Sequence, residues 1–181
     1  FANVQGAYAE YLVVPAERLV PVPEGLDPKL AAAALLQGMT VHYLLKSTYP
    51  VAPGDQVLVH AGAGGVGQLL IQWAKRLGAT VYATASTEEV RGLFGQPSGR
   101  VPPRAAQVLT RMGSLFLPRP TLHHYTASRK ELLFRAGEVF RGVLEGWLKV
   151  RIGAEFPLEK AREAHEALEG RRTTGKVLLL P

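Results

Sequence analysis

Apolar residues recur at helical spacing in several stretches of the chain, and these stretches predict helices. The longest is 129–145, which places seven apolar side chains along one face. A second stretch, 69–77, ends at Gly78, a residue that favours helix termination. A third, 158–169, lies near the end of the chain. These three segments are therefore expected to pack one side against a core.

The segment after residue 26 carries helix signals of a different kind. Asp27 followed by Pro28 is typical of a helix N-cap and its first residue. The apolar run 31–36 continues that helix. The sequence Gln-Gly-Met-Thr at 37–40 is expected to break it, and 41–46 is expected to be helical again.

Short apolar runs bounded by proline, glycine or polar residues predict strands. These runs are 7–14, 57–60, 80–85, 114–117, 150–156 and 176–180. Two of them, 57–60 and 80–85, flank the predicted helix 69–77. This order of strand, helix and strand predicts one βαβ unit with parallel strands, and hence an α/β fold.

Composition narrows the function classes. No apolar run approaches the ~18 residues that a membrane span needs, so no membrane partner is expected. None of the 181 residues is cysteine, which excludes disulfides, thiolate catalysis and cysteine-ligated zinc. No metal site is predicted, because the adjacent His123 and His124 lack further ligands at suitable spacing. The chain begins at Phe1 without a secretory leader, so a cytoplasmic protein and a piece of a longer chain are expected.

Charge is distributed unevenly along the chain. Residues 1–90 contain five Lys/Arg and seven Asp/Glu, whereas residues 91–181 contain sixteen and eight. A basic excess of this kind is typical of proteins that bind RNA or an anionic cofactor, and also of a merely solvated basic surface. The counts leave these alternatives open.

The turn between the first strand and helix of the βαβ unit carries the most specific motif. Gly62, Gly64 and Gly67 fit the pattern G-x-G-x-x-G. The first glycine permits a tight turn, the second lets the backbone approach a pyrophosphate, and the third lets helix and strand pack closely. The following helix presents free N–H groups and the positive end of its dipole. The motif in this context predicts dinucleotide binding.

The end of the second strand favours NADPH as the dinucleotide. NAD sites usually hold the ribose with a carboxylate about 20 residues past the first glycine. Here Ser86 and Thr87 occupy that position and can donate hydrogen bonds to a 2′-phosphate, and Arg91 can add positive charge. Glu88 and Glu89 argue the other way, as displaced NAD ligands or as charges that repel a phosphate.

Beyond these signals, the chain resembles the zinc-independent quinone oxidoreductase branch of the medium-chain dehydrogenase/reductase family, whose members include the zeta-crystallin-like proteins. The resemblance covers nearly every residue in the family's order. The matching stretches are 6–11, 31–43 with Leu-Gln-Gly-Met-Thr at its centre, 53–67, 94–99, 113–116, 119–121 and 173–176.

The resemblance implies a set of cofactor-binding residues. These are Thr40, Tyr43, Gly62, Gly64, Gly65, Val66, Gly67, Ser86, Phe94, Gly95, Ser98 and Arg171. Tyr43 is also the candidate catalytic residue, because its hydroxyl can orient a carbonyl oxygen. A partly buried helix tyrosine is the alternative for Tyr43. The family's lysine for the 2′-phosphate falls near Val90, so that contact depends on Arg91.

The resemblance also implies the domain plan. Residues 30–149 would form a Rossmann-type, doubly wound parallel sheet that lacks its middle strands after about residue 89. Residues 1–29 and 150–181 would be remnants of a GroES-like, β-rich substrate domain. The implied function is an NADPH-dependent reductase that transfers hydride to a quinone or related enone without zinc, and the implied assembly is a homodimer. Because family segments are missing, impaired activity is expected.

A non-catalytic protein that binds NADPH or RNA through the basic second half is the alternative function. It draws on Arg100, Arg104 and Arg111 among other cations. The sequence contains no RNP-type motif or aromatic platform that would support RNA recognition.

Overall fold

A computed structural model describes residues 6–84, 120–170 and 172–181. Its helices are α1 (Pro28–Tyr43), α2 (Gly65–Arg76), α3 (Leu122–Tyr125), α4 (Arg129–Leu144) and α5 (Ala161–Glu169). Its strands are β1 (Gln56–Val59), β2 (Thr80–Ala83), β3 (Ile152–Pro157) and β4 (Lys176–Leu180). Short 3-10 turns span Ala16–Arg18 and Leu158–Lys160, and a π-helical turn spans Leu44–Thr48. No helix in these ranges is long and apolar enough to cross a membrane.

The first βαβ unit forms as the sequence predicts. Strands β1 and β2 pair in parallel with Gln56 opposite Thr80, and α2 connects them. Helix α2 ends beside Gly78, whose φ of +88° continues the chain in the left-handed region that favours glycine. This unit places the glycine motif at the carboxyl end of β1.

A second βαβ unit lies at the end of the chain. Strands β3 and β4 pair in parallel and are connected by α5, and in the described ranges they form a sheet of their own, separate from that of β1 and β2. The register of this pair shifts between Ile152 and Ala154. The assignment of residues 150–181 to a substrate domain stays a prediction.

The predicted break at 37–40 is wrong, because α1 runs through it without interruption. Gly38 allows α1 to pack closely against α4. A Cβ at this position would lie 2.5 Å from Cγ1 of Val139 on α4. The missing side chain lets the two helices approach closely, and a glycine that looks like a breaker in sequence is a helix contact in the fold.

The predicted strand at 7–14 is also wrong. These residues are extended or bent but join no ladder. Tyr11 is 90% exposed and Val13 is 97% exposed. A strand needs a neighbour for its N–H and C=O groups, and no described strand lies beside this segment. The predicted strand 114–117 lies outside the described residues.

The main core lies between α1, α2 and α4. Its buried side chains include Met39, Val41, Leu69, Trp73, Leu132, Val139 and Leu148. Helix α4 begins with a capping box, in which the backbone N–H of Glu131 donates to Oγ of Ser128 and the Glu131 carboxylate accepts from Ser128. This core holds α1 beside the amino end of α2, where the glycine turn lies.

Candidate functional site

The glycine turn is held between the carboxyl ends of β1 and β2. The N–H of Gly64 donates to the carbonyl of Ala61 at 2.9 Å, and the N–H of Gly62 donates to the carbonyl of Thr84 at 3.2 Å. Ala61 has a φ of +55°, which is unusual for a residue with a side chain. The turn is therefore tight, strained at one residue and tied to the neighbouring strand.

Thr84 is a site residue that sequence reasoning missed. Its N–H donates to the carbonyl of Val59 at 3.0 Å. Its Oγ1 lies 3.2 Å from Nδ1 of His60 and accepts from the N–H of Ala61 at 3.4 Å. Thr84 thus joins β2 to the turn through backbone and side chain together. Its position at a strand end is the only sequence signal that it offers.

Gly67 allows the helix to pack directly on the turn. A Cβ on Gly67 would lie 2.7 Å from the Cα and 2.8 Å from the carbonyl carbon of Gly62. Backbone atoms cannot move aside as a flexible side chain can. The third glycine of the motif is needed for this close approach of the helix to the turn.

The amino end of α2 is open to a ligand. Its N-cap is Gly64, and no side chain caps the helix. The first backbone hydrogen bond of α2 runs from the N–H of Gln68 to the carbonyl of Gly64, at 2.9 Å. The N–H groups of Gly65, Val66 and Gly67 precede that bond and lack intrahelical acceptors. Free N–H groups at the positive end of a helix dipole bind phosphate well.

Gln37 of α1 lies against this open end. A Cβ on Gly65 would lie 2.6 Å from both Cδ and Oε1 of Gln37. The carboxamide of Gln37 therefore occupies the space that a side chain at position 65 would take. Sequence reasoning included Gln37 in a family stretch but not among the site residues.

Thr40 and Tyr43 follow Gln37 along α1. Thr40 lies three residues on, which places it on the same helix face, and its hydroxyl donates to the carbonyl of Leu36 at 2.9 Å. Tyr43 is only 4% exposed, and its ring stacks on that of Tyr125 with centroids 4.4 Å apart. Burial, and secondarily the neighbouring Tyr125, raise the pKa of Tyr43. The catalytic role of Tyr43 stays a prediction.

A second polar cluster lies between α1 and α4. Arg135 is 6% exposed, and its Nε donates to the carbonyl of Tyr125 at 2.7 Å. Its NH1 lies 2.9 Å from Nδ1 of His42 and donates to Oγ of Ser47 at 3.1 Å. The hydroxyl of Thr48 donates to the hydroxyl of Tyr125 at 3.1 Å. We call these five residues the Arg135 cluster.

His42 is neutral in this cluster. An arginine can only donate, so Nδ1 of His42 accepts and the ring proton is on Nε2. Nε2 is buried without a hydrogen-bond partner, and the ring meets Trp73 and Phe134 edge to face. Burial, then the charges of Arg135 and Lys46, lower the pKa of His42 to about 4.

The remaining predicted site residues cannot be placed. Ser86, Phe94, Gly95, Ser98 and Arg171 lie outside the described residues. Within the described ranges no group of three His, Cys, Asp or Glu side chains could hold a metal ion.

Comparison with known proteins identifies a family whose members resemble this chain. A sequence model of zinc-binding dehydrogenases matches residues 36–179. A 2-haloacrylate reductase from a Burkholderia species is 34% identical over 97% of this chain and 71% of its own. A quinone oxidoreductase of Pseudomonas aeruginosa is 33% identical over 97% of this chain and 72% of its own. These matches reach from α1 to β4.

Solved structures agree in fold. A mycobacterial protein complexed with NADPH superposes with a TM-score of 0.90 at 37% identity, over 97% of this chain and 72% of that one. Escherichia coli quinone oxidoreductase complexed with NADPH superposes with a TM-score of 0.87 at 30% identity, over the same shares. The predicted α/β fold of this family is confirmed.

Two further points come from these comparisons. The alignment with the Burkholderia relative spans 236 residues, more than the 181 of this chain, so that relative contains internal sequence with no counterpart here. The family description names zinc, yet the chain has no cysteine and the described residues contain no suitable cluster of donors. The residues that the structure describes therefore do not fit a zinc ion.

The parallel βαβ unit, the glycine turn, the family match and the two superpositions agree. This chain belongs to the medium-chain dehydrogenase/reductase family, among the quinone oxidoreductases.

Proposed function

We propose that this chain binds NADPH and reduces a quinone or related enone without zinc. The observation that carries the proposal is the uncapped amino end of α2, set against a tight glycine turn. NADPH-bound relatives with the same fold support the choice of cofactor. A relative that acts on 2-haloacrylate supports an electron-poor alkene as an alternative substrate class.

The chain's own residues would hold the cofactor through its pyrophosphate. The N–H groups of Gly65, Val66 and Gly67 would donate to phosphate oxygens, and Gly62 and Gly64 would keep the backbone close. NADPH when bound supplies a hydride for the substrate. The protein would contribute position and electrostatics, which dominate in reactions where the cofactor carries the chemistry.

Thr40 and Tyr43 would line the cleft on the side of α1. Burial keeps the Tyr43 hydroxyl protonated, because it raises a pKa that is already high. A protonated phenol can donate a hydrogen bond to a substrate oxygen. Ser86, Phe94, Gly95, Ser98 and Arg171 belong to the proposal through the resemblance alone.

A titration with NADPH and NADH tests the cofactor assignment. We expect tighter binding of NADPH, because Ser86 and Thr87 replace the usual ribose carboxylate. Equal or tighter binding of NADH would contradict this. Replacing Ser86 by Asp is the matched variant, and it should shift the preference towards NADH.

A steady-state assay of NADPH oxidation with a simple quinone tests the reaction. We expect slow turnover in this chain, because relatives contain sequence that it lacks. Turnover at an ordinary rate of 1–1,000 per second would contradict the expected impairment. Activity that persists after exhaustive treatment with a chelator would support a zinc-independent reaction.

The assembly and location are further expectations. Light scattering would test the homodimer, and cell fractionation would test the cytoplasmic location. Electrophoretic titration against RNA at several salt concentrations would test the alternative function, which no described contact favours.

A further inference from the structure

We propose that Gln37 contacts the cofactor, donating a hydrogen bond from its carboxamide to the dinucleotide pyrophosphate. This inference rests on the proposed function and adds a residue to its site. It assigns a role to the Leu-Gln-Gly-Met-Thr stretch and explains why position 65 is glycine although the motif does not demand it there.

The position of the carboxamide is the first step. In a helix the Cα–Cβ bond tilts towards the amino end. The carboxamide of Gln37 fills the place of a Cβ on Gly65, with Oε1 and Cδ both 2.6 Å from that point. It therefore lies against Gly65, the first residue of α2, at the end of the helix where N–H groups lack intrahelical acceptors.

The lack of a partner is the second step. Gln68 donates to the carbonyl of Ala63 at 2.6 Å, and Gln72 donates to the carbonyl of Lys149 at 3.1 Å. Gln37 is half-buried, and its side chain has no hydrogen bond to any described residue. Solvent reaches its carboxamide, so a ligand oxygen can take the place of water as its hydrogen-bond partner.

A structural role for Gln37 would give a different signature. In that role its Oε1 would cap the amino end of α2, and losing it would destabilise the helix. In the proposed role, Gln37→Met keeps the volume and the free energy of unfolding but removes the donor. The two roles therefore separate when stability and ligand affinity are measured on the same variant.

Gln37→Glu gives the sharpest test. A carboxylate at the positive end of α2 favours the free protein but repels a bound pyrophosphate. We expect its melting temperature to stay level or rise, while the NADPH dissociation constant rises at least tenfold. Gln37→Met should raise that constant about fivefold with an unchanged melting temperature.

A matched control uses the same substitution elsewhere. Gln56 is exposed at the amino end of β1, the opposite edge of the sheet from the turn. Gln56→Glu should change NADPH affinity less than twofold. Adenosine 2′-monophosphate lacks the pyrophosphate, and its affinity should change less than twofold in Gln37→Glu.

Calorimetric titrations of the full chain with both ligands decide the outcome. If wild-type protein binds NADPH and Gln37→Glu binds it equally well, the role of Gln37 is wrong and the proposed function stands. Equal losses for NADPH and adenosine 2′-monophosphate would also overturn the pyrophosphate contact. If wild-type protein does not bind NADPH, both proposals fall together.

Discussion

Two polar regions flank α1 and use their hydrogen-bond donors in opposite ways. At the glycine turn, backbone N–H groups at the start of α2 have no capping side chain. In the Arg135 cluster, one buried guanidinium donates to a carbonyl, an imidazole and a hydroxyl at 2.7–3.1 Å. The first region keeps its donors available, whereas the second engages the guanidinium within the fold and leaves one donor, Nε2–H of His42, buried without a partner.

This difference in hydrogen bonding assigns ligand binding to the glycine turn and folding stability to the Arg135 cluster. Donors without protein acceptors are affordable only where water or a ligand reaches them, so the glycine turn is the region suited to an anion. Donors that are engaged with buried acceptors, as those of Arg135 are, rigidify the packing around them. Substitutions in the Arg135 cluster should therefore change stability and leave affinity alone, while those at the turn should change affinity.

The largest expected effect is that of Arg135→Met. It leaves Nδ1 of His42 buried without a donor and removes the donor to the half-buried carbonyl of Tyr125. We expect the free energy of unfolding to fall by about 3 kcal/mol. Urea denaturation measures this. The NADPH affinity of the folded protein should change less than twofold. A tenfold loss of affinity would contradict the assignment of the Arg135 cluster to stability alone.

Arg141→Met is the control on the same helix. Its side chain is 60% exposed and pairs with the half-buried Glu138, which also lies 3.8 Å from Nζ of Lys46. Exposed ion pairs contribute little, so we expect a change of less than ~1 kcal/mol. A loss equal to that of Arg135→Met would show that helix charge matters here rather than the buried contacts.

Gly67→Ala should affect both stability and affinity. The added Cβ meets backbone atoms of Gly62, so the turn must move. We expect a loss of about 2 kcal/mol in the free energy of unfolding and at least a tenfold loss of NADPH affinity. Thermal unfolding with and without NADPH measures both. An alanine that leaves the ligand-induced shift intact would contradict the role assigned to this turn.

A dependence on pH should come from the Arg135 cluster. The folded pKa of His42, about 4, lies below its ordinary 6.5. The unfolded chain therefore takes up a proton that the folded protein excludes, and stability falls as the pH drops from about 6.5 towards 4. The His42 contribution should be about 3 kcal/mol over this window.

His42→Asn supplies the comparison for that measurement. Its side-chain oxygen can accept from Arg135 in place of Nδ1, but it does not titrate. Urea denaturation at several values between pH 7 and pH 4 measures the free energy of unfolding, which should fall less with pH in this variant than in the wild-type protein. An equal fall in the two proteins would show that other groups cause the acid sensitivity.

The smallest effect should have the opposite sign. Gly137 lies within α4, and a Cβ there would meet no atom within 4 Å. Gly137→Ala should therefore raise the free energy of unfolding by about 0.5–1 kcal/mol through helix propensity alone. A loss measured in a melting experiment would mean that α4 is more crowded at this point than its neighbours indicate.

Local signals predicted the elements that depend on local interactions. The Asp27 cap, the start of the helix after it and the strand over residues 176–180 stand where the sequence places them. The glycine motif was recognisable because a turn, a close backbone approach and a helix start all depend on neighbouring residues. Such features carry their cause within a few positions.

The errors arose where the cause lies far away in sequence. Gly38 packs on Val139 about a hundred residues later, so its spacing resembled a break. The alternation at 7–14 lacks a described partner strand, and alternation alone cannot form a ladder. Arg135 lies on the amphipathic helix α4, and its burial depends on acceptors from α1 and from Tyr125. No local sequence pattern predicts such contacts between distant residues.

The two parallel strand pairs also bear on how the chain is made. Gln56 pairs with Thr80 and Ile152 with Lys176, each across 24 positions, so each unit closes a short loop of its own. An emerging polypeptide is expected to complete the first unit before α4 has left the ribosome. During that interval Leu69 and Trp73, which later share a core with side chains of α4, face water. The nascent chain should then be most prone to association, and most in need of chaperones, midway through its synthesis.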